Sequence, residues 1–342
     1  MVDVVGCDED QRAMCSGPGP DESATGVMQC ELCGSTQVTP LFSGGDRLHG
    51  VDGLFSVVQC DRCGLIWLTQ PPACPAAYYP EASYASHGGP DSGRHFSMGW
   101  RRVGLLRRSQ AVWAVKQSGS VLDVGCGDGD FLHALGARGE WNLLGVDVSR
   151  TAATRAQEKY GITVLTGQLS DLQLPAGGFD VVTMWHVLEH LPAPRRVLGE
   201  VHRLLNEEGV LIVSCPMADS AERRLFGRYW AGYDVPRHLF TFSRRTLPAL
   251  LEESGFTTRE LPRVALGLNS FRISVGFWLT GLFPSLAYTS KSLSGGASAM
   301  ALALLPVVEL LRHLTEWGSS VGTFLAVKRR DLGRDGGNGG DG

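Results

Sequence analysis

The sequence lacks three features that would point to particular classes of function. It has no excess of positive charge, because 31 Lys and Arg side chains face 35 Asp and Glu, for a formal net charge of −4. It therefore has no general attraction for nucleic-acid phosphates, and we expect no nucleic-acid partner. No internal repeat is visible. The first residues, MVDVVGCDED, contain neither a basic region nor an apolar core, so no secretory signal is predicted.

The composition is that of a globular protein. Of the 342 residues 43% are hydrophobic and 19% are charged, which is enough for one large domain and a small one. The segments 1–26 and 332–342 are rich in small and polar residues and are predicted to be disordered. The nine cysteines are an odd number in a chain without a secretory signal, so reduced thiols in the cytoplasm are expected.

A short stretch in the first half of the chain has the pattern of a nucleotide site. Residues 121–124 form a β-branched, apolar run suited to a buried parallel strand. Gly125, Gly127 and Gly129 follow at alternate positions, where a tight turn needs residues without a Cβ. A helix is predicted from Phe131, with its free N–H groups facing the loop. We call residues 125–129 the glycine loop.

The spacing of the glycines separates this loop from a dinucleotide site. A dinucleotide fingerprint reads G-x-G-x-x-G, whereas this loop reads G-x-G-x-G with Asp123 two residues before it. A second acid, Asp147, ends the predicted strand 141–146. The pattern resembles the first motif of class I S-adenosylmethionine (SAM) methyltransferases. The resemblance implies that Asp123 accepts a bond from the SAM ammonium and Asp147 from the ribose hydroxyls; the alternative for Asp147 is an ordinary helix-capping role.

The rest of the chain alternates strands and helices, which predicts the fold class. We expect an α/β protein with a Rossmann-like, seven-stranded, mostly parallel sheet and helices on both faces. A small N-terminal zinc ribbon and a helical insert before the last strand complete it. The predicted divisions are the ribbon and linker at 27–86, the SAM-binding core at 87–262, the apolar insert at 263–320 and the closing strand at 321–331.

Two cysteine pairs predict a structural zinc site. Cys30 and Cys33 form one pair and Cys60 and Cys63 the other, and each is followed by a glycine that permits the turn. Four thiolates complete a closed tetrahedral Zn²⁺ site, with a redox pair as the alternative. Residues 27–86 carry two basic and five acidic side chains, a charge of the wrong sign for binding phosphates. The ribbon is therefore predicted to be a scaffold or a lid over the substrate.

The resemblance to SAM methyltransferases also implies further cofactor contacts. Gln168 stands where the family places an acid or amide against the adenine amino group, and Asp171 is the alternative. Leu169 and Trp185 are predicted to line the same cofactor site.

The chain after the predicted strand 179–184 contains His186, Glu189 and His190. These formally match the H-x-x-E-H zinc-protease pattern, but Pro192 and Pro194 end any helix too early for it. They resemble a segment of the ubiquinone-biosynthesis-like methyltransferases, some of which bind a divalent ion there. Two interpretations stay open: an ion at Glu189 and His190, or side chains that satisfy backbone groups.

An unusual aromatic run, Tyr229–Phe240, follows the next predicted strand; we call it the aromatic segment. It resembles the W-x-G-x-D-x-P-R-H-L-x-x-F segment of zinc-ribbon-bearing bacterial SAM methyltransferases, where it lines the acceptor pocket. His238 is the first candidate for a general base and His186 the second, because histidine titrates near neutral pH. The alternative is a packed, hydrogen-bonded loop.

The apolar insert carries one charged side chain, Lys291, between residues 273 and 308. It is predicted to form an acceptor pocket or a homodimer face; the alternative is contact of 265–311 with a membrane surface. The chain also has a basic stretch, with Arg101, Arg102, Arg107 and Arg108. It is predicted to cover the sheet as part of an amphipathic helix, with contact to anionic lipid headgroups as the alternative.

The predicted function is SAM-dependent methyl transfer to an oxygen atom of a small-molecule or lipid-linked acceptor, in specialised metabolite or glycan biosynthesis. Three alternatives stay open: a deoxysugar C-methyltransferase, an RNA methyltransferase, and a binding module of the same fold without turnover.

Overall fold

The computed structural model describes residues 29–72, 78, 94–261, 264, 268–283 and 318–329. The predicted disordered segments at the two ends and most of the apolar insert lie outside these residues. The strands in chain order are β1 (Val38–Gly44), β2 (Phe55–Cys60), β3 (Ile66–Leu68), β4 (Gly119–Val124), β5 (Trp141–Asp147), β6 (Thr163–Thr166), β7 (Phe179–Trp185), β8 (Leu205–Pro216), β9 (Phe240–Thr241), β10 (Phe256–Glu260) and β11 (Val321–Lys328). The helices are α1 (Arg94–Trp113), α2 (Asp130–Leu135), α3 (Arg150–Tyr160), α4 (Pro194–Leu204), α5 (Ala221–Phe226), α6 (Thr246–Glu253) and α7 (Leu268–Leu282).

The larger sheet has seven strands in the order β10-β11-β8-β7-β4-β5-β6. The strands β8, β7, β4, β5 and β6 run parallel to one another, and β11 is antiparallel to both β8 and β10. Parallel pairs need crossover connections, and the helices α2, α3 and α4 lie within them. The predicted α/β fold with a mostly parallel seven-stranded sheet is confirmed.

Both faces of this sheet are covered by helices. On one face α4 and α6 pack Leu198 and Leu250 against Leu122 and Val213. On the other face α1 and α2 cover a second apolar cluster, which includes Val181. The two central strands β4 and β7 are therefore buried on both sides, which explains their continuous apolar sequence.

The smaller sheet is antiparallel, with the order β1-β2-β3-β9. Its first three strands belong to the cysteine-containing region, which we call the ribbon (residues 30–68). Its fourth strand, β9, comes from the end of the aromatic segment and pairs with β3 through Trp67 and Phe240. The ribbon is thus joined to the rest of the chain by backbone hydrogen bonds.

The helix α7 packs on the aromatic segment. Phe271 and Val275 lie in one apolar cluster with Phe226, Trp230 and residues of the ribbon strands. Among the described residues, no helix combines the length and apolar character needed to cross a bilayer.

Candidate active site

The glycine loop connects β4 to α2 at the carboxyl edge of the larger sheet. Gly125 and Gly127 have φ values of 70° and 53°, in the left-handed region that favours glycine. A Cβ at Gly125 would lie 2.5 Å from Val187 Cγ2, so the chain after β7 packs directly on this turn. A Cβ at Gly127 would meet no atom within 4 Å among the described residues, so this position faces open space where a ligand can approach.

Asp147 lies at the end of β5 and fixes the glycine loop. Its Oδ2 accepts a 2.8 Å bond from the Gly127 N–H, and its Oδ1 accepts a 2.8 Å bond from the Ser149 N–H. Burial raises the pKa of this carboxyl, against the effect of those backbone donors. Each carboxylate oxygen has a second lone pair, so the group can also accept from a diol beside the loop.

Asp123 is buried in β4, with only 2% of its surface exposed. The Thr183 hydroxyl donates a 2.5 Å bond to Asp123 Oδ1. Burial raises the pKa of Asp123 to about 7, and the nearby charge of Asp147 adds to that, while Thr183 and Arg108 oppose it. The carboxyl is therefore poised to ionise when a cation approaches.

Arg108 is a site residue that sequence reasoning missed. It projects from α1, and its guanidinium carbon lies 5.2 Å from the ring centroid of Trp185. Burial lowers the pKa of this guanidinium, and the charge of Asp123 opposes the effect. The Trp185 ring also makes an edge contact with Phe131 at 5.3 Å. A cation and a carboxyl whose charges act on each other are complementary to the carboxylate and ammonium of an amino acid.

The chain after β6 borders the same edge. The Gly167 N–H donates a 2.9 Å bond to the backbone oxygen of Asp147, which places residues 167–169 beside the glycine loop. Gln168 and Asp171 are exposed, whereas the Leu169 side chain is buried in the core. A contact of Leu169 with a ligand would therefore run through its backbone.

The predicted residues after β7 gather around one buried carboxylate. His186 has a φ of 60°, unusual for a residue with a Cβ, and its Nδ1 lies 3.3 Å from Glu189 Oε1. Glu189 is fully buried, and within the described residues neither of its oxygens meets a donor with good hydrogen-bond geometry. Burial raises the pKa of Glu189, but contact with His186 and the charges of His190 and His238 outweigh it and hold the pKa at about 2.

His190 and His238 are each oriented by a backbone carbonyl. His190 Nδ1 lies 3.0 Å from the Arg237 oxygen, and His238 Nδ1 lies 2.8 Å from the Gly232 oxygen. A carbonyl can only accept, so each Nδ1 carries a proton and each Nε2 is turned away from these carbonyls. The two rings are 4.6 Å apart. Burial, followed by the charge of His238, lowers the pKa of His190 to about 4.

The structure thus places both candidate bases, His186 and His238, beside the Glu189 carboxylate, although they are far apart in sequence. One ligand atom each from Glu189, His190 and His238 lie within 4.8 Å of one another, a group that could hold a divalent ion. Mixed nitrogen and oxygen donors suit zinc and related transition metals. The alternative of satisfied backbone groups also applies in part, because His190 bonds a carbonyl.

The aromatic segment is held by a buried ion network. Arg237 bonds Asp234 at 2.6 Å and Asp46 of the ribbon at 2.8 Å. The side chains of Arg237 and Asp46 are 3% and 0% exposed. This segment is a packed, hydrogen-bonded loop, and it also places His238 beside Glu189.

The four ribbon cysteines converge as the sequence predicts. Cys30 Sγ lies 3.3 Å from Cys63 Sγ, and Cys33 Sγ lies 3.5 Å from Cys60 Sγ. All four sulfurs lie within 4.8 Å of one another. Sulfurs about 2.3 Å from one tetrahedral ion are roughly 3.8 Å apart, so the group fits zinc. The six cysteines in the described part of the chain are free thiols.

Comparison with known proteins shows which families the chain resembles. Residues 100–261 match the family described as "Methyltransferase domain". Over 100 residues the chain is 36% identical to the ubiquinone biosynthesis O-methyltransferase of Pseudomonas aeruginosa, which covers 28% of this chain and 43% of that protein. Over 143 residues it is 33% identical to the "Probable S-adenosylmethionine-dependent methyltransferase" of Mycobacterium tuberculosis. That alignment covers 40% of this chain and 48% of that protein. The matches span less than half the length of these relatives.

Solved structures of methyltransferases are more distant. A SAM-dependent methyltransferase from Archaeoglobus fulgidus is 19% identical with a TM-score of 0.43, and the alignment covers 67% of this chain and 94% of that one. A phosphoethanolamine N-methyltransferase of Haemonchus contortus is 14% identical with a TM-score of 0.46, covering 72% and 59%. The fold assignment therefore rests on the strand order of this chain. By these sequence matches, residues 100–261 form a methyltransferase domain that is similar to those of SAM-dependent methyltransferases.

Proposed function

We propose that the protein transfers the methyl group of SAM to an oxygen atom of a small-molecule or lipid-linked acceptor, in specialised metabolite or glycan biosynthesis. The observation that carries this proposal is His186 beside the buried carboxylate of Glu189, directly after the strand that neighbours the glycine-loop strand. The cofactor supplies an electrophilic methyl group when it is bound. The chain's own residues bind it, orient the acceptor and accept a proton.

The cofactor half of the proposal rests on three charged side chains. Asp123 and Arg108 are complementary to the amino-acid end of SAM, and Asp147 is held at the glycine loop where a ribose would lie. Gln168 is exposed at the adenine end of this edge.

The base is a choice between two histidines, and the geometry favours His186. Its side chain is 33% exposed, against 11% for His238, so a reacting hydroxyl can reach it more easily. The negative charge of Glu189, 3.3 Å from Nδ1, favours the tautomer with its proton on that nitrogen, which leaves the Nε2 lone pair that a general base needs. His238 then acts as a second polar group that orients the acceptor.

The ribbon and the cysteines bear on three further parts of the proposal: the metal, the compartment and the class of acceptor. We infer that Cys30, Cys33, Cys60 and Cys63 bind one structural zinc ion. The free thiols fit a reducing compartment such as the cytoplasm. The acidic balance of the ribbon disfavours an RNA acceptor.

Two measurements test the proposal. Calorimetry with SAM tests the cofactor, and transfer from methyl-tritiated SAM to a panel of phenols, sugars, amines and RNA tests the acceptor, with the product atom assigned by NMR. We expect O-methylated products, strongly reduced turnover in His186→Gln and wild-type turnover in His133→Gln, whose ring stacks on Tyr160. Absence of SAM binding, or methyl found on carbon, nitrogen or RNA, would overturn it.

The Glu189, His190 and His238 group favours a second way of activating the same acceptor. An ion held there would bind the acceptor oxygen and lower its pKa. Turnover that falls with a chelator and returns with Mn²⁺ or Mg²⁺, while ribbon zinc stays constant, would favour this version over a histidine base.

A further inference from the structure

We propose that the ribbon is a working part of the acceptor site, in which Asp46 is a positioning residue that fixes His238 through Arg237. The term acceptor site rests on the proposed function, whereas the mechanical link from Asp46 to His238 does not. Two sets of contacts join the ribbon to the aromatic segment, and a third joins that segment to Glu189 and His190.

The first contact is a shared sheet. The strand β9 begins two residues after His238 and pairs with β3 of the ribbon. The Leu68 N–H donates a 2.9 Å bond to the Leu239 oxygen. The backbone that follows His238 is therefore held by the ribbon, so it cannot move independently of it.

The second contact is the buried ion network. Both guanidinium nitrogens Nη1 and Nη2 of Arg237 bond Asp46, at 3.0 and 2.8 Å, while Nε and Nη2 bond Asp234 at 2.9 and 2.6 Å. One cation thus joins a carboxylate from the ribbon to one from its own segment. A planar guanidinium clamped from two sides has little freedom to rotate, because each carboxylate fixes a different edge.

The third set of contacts links the position of Arg237 to that of Glu189 and His190. The Arg237 backbone oxygen accepts from His190 Nδ1, and the Leu239 N–H donates a 2.8 Å bond to the backbone oxygen of Glu189. His238 lies between these two bonded residues. Displacing Arg237 therefore moves His238 relative to Glu189 and His190.

The cysteine knuckles are tied to the same body. The Arg195 guanidinium donates to the backbone oxygens of Glu31 and Leu32, beside the first cysteine pair. The Arg245 guanidinium donates to the backbone oxygens of Arg62 and Cys63 in the second pair. The ribbon is thus anchored at both knuckles and at its sheet, and Asp46 adds a side-chain anchor through Arg237, the residue before His238.

The test compares Asp46→Asn with Asp61→Asn in the full chain. Asp61 is an exposed ribbon acid that accepts a bond from Thr39 and takes no part in the network. Hydrogen exchange of peptides covering 229–241 and 121–149 is measured, with binding of S-adenosylhomocysteine by calorimetry and the ring signals of His238 by NMR. We expect Asp46→Asn to speed exchange in 229–241 by about tenfold or more and to shift the His238 ring signals. Exchange in 121–149 and affinity should stay at wild-type values, as should every reading for Asp61→Asn.

A role limited to stability would give a different result. In that case folded Asp46→Asn would show wild-type exchange in 229–241 and unchanged His238 signals at temperatures well below its midpoint, and the proposal would be wrong. Equal acceleration in 121–149 would also overturn it. If Asp46→Asn does not fold, Arg237→Lys keeps the charge, loses the fork, and should give the same local pattern.

The outcome is separable from that of the proposed function. If the exchange pattern is as expected but no O-methylated product forms from any acceptor, the link stands and the proposed function fails. If O-methylation occurs, Asp46→Asn should lower kcat and leave the KM for SAM unchanged. A KM for SAM that rises with an unchanged kcat would contradict the positioning role.

Discussion

Replacing Asp123 with Asn removes a carboxyl that burial holds largely protonated up to neutral pH. The pKa of this carboxyl is about 7 in the folded chain, against an ordinary value of 3.8. A raised pKa means that the protonated form favours folding, so this stability is complete below about pH 4 and is lost as the pH rises through 7. At 1.36 kcal/mol per pKa unit, the wild type should lose about 2.5 kcal/mol between pH 5 and 8 that the Asn variant keeps.

The assay is urea unfolding of the ligand-free protein at both pH values, with Asp61→Asn as the control for an exposed carboxyl. We expect the difference in unfolding free energy between variant and wild type to change by about 2.5 kcal/mol from pH 5 to pH 8, and that of the control to change little. Equal pH dependence in the wild type and the Asp123 variant would refute the account of this carboxyl.

The pKa of the same carboxyl also predicts a proton release when SAM binds. An approaching ammonium favours the ionised form, so SAM binding near pH 7 should release a fraction of a proton. Calorimetry in two buffers of different ionisation enthalpy measures this release. It should vanish in Asp123→Asn, and that variant should bind SAM more weakly although it is more stable at pH 8.

Three further predictions concern the cofactor loop and the ribbon. Asp147→Ala should weaken SAM binding about 10- to 100-fold in calorimetry, because it removes the acceptor for the ribose and a bond to the glycine loop; unchanged affinity would contradict its role. Gly127→Ala should cost about 1 kcal/mol in urea unfolding because of its positive φ, and should weaken SAM binding because its Cβ enters the open space. The control Gly199→Ala, in the middle of α4 with no atom near its Cβ, should instead gain about 1 kcal/mol and bind normally. Cys33→Ser should lower the zinc content and the thermal midpoint together, and a fall in neither would show that the cysteines do not hold the metal.

The centre of the larger sheet was predictable because its central strands are buried on both faces. Such strands appear as apolar runs, and the predicted strand 179–184 is observed as β7 with one further residue. The glycine loop was predictable for a related reason, since only glycine accepts the φ values that the turn needs.

Other parts of the site could not be predicted, because they depend on contacts between distant residues. Asp46 and Arg237 are far apart in sequence, and neither has a local pattern that distinguishes it from an exposed charge. Arg108 lies in a helix with several arginines, and nothing in its spacing marks it as the one that faces Asp123. The strand β9 has only two residues, which are too few to show the alternating pattern from which a strand is predicted.

The position of β11 in the larger sheet bears on how the chain folds during synthesis. Its residues Val321–Lys328 are translated after every other strand of that sheet, yet they lie between β8 and β10. Until they leave the ribosome, β8 has an open edge of unpaired backbone groups, and β10 has no partner. The nascent chain therefore exposes an aggregation-prone strand edge while α7 and the residues that follow it are translated. Its need for protection by chaperones should end only when β11 has been translated and has paired.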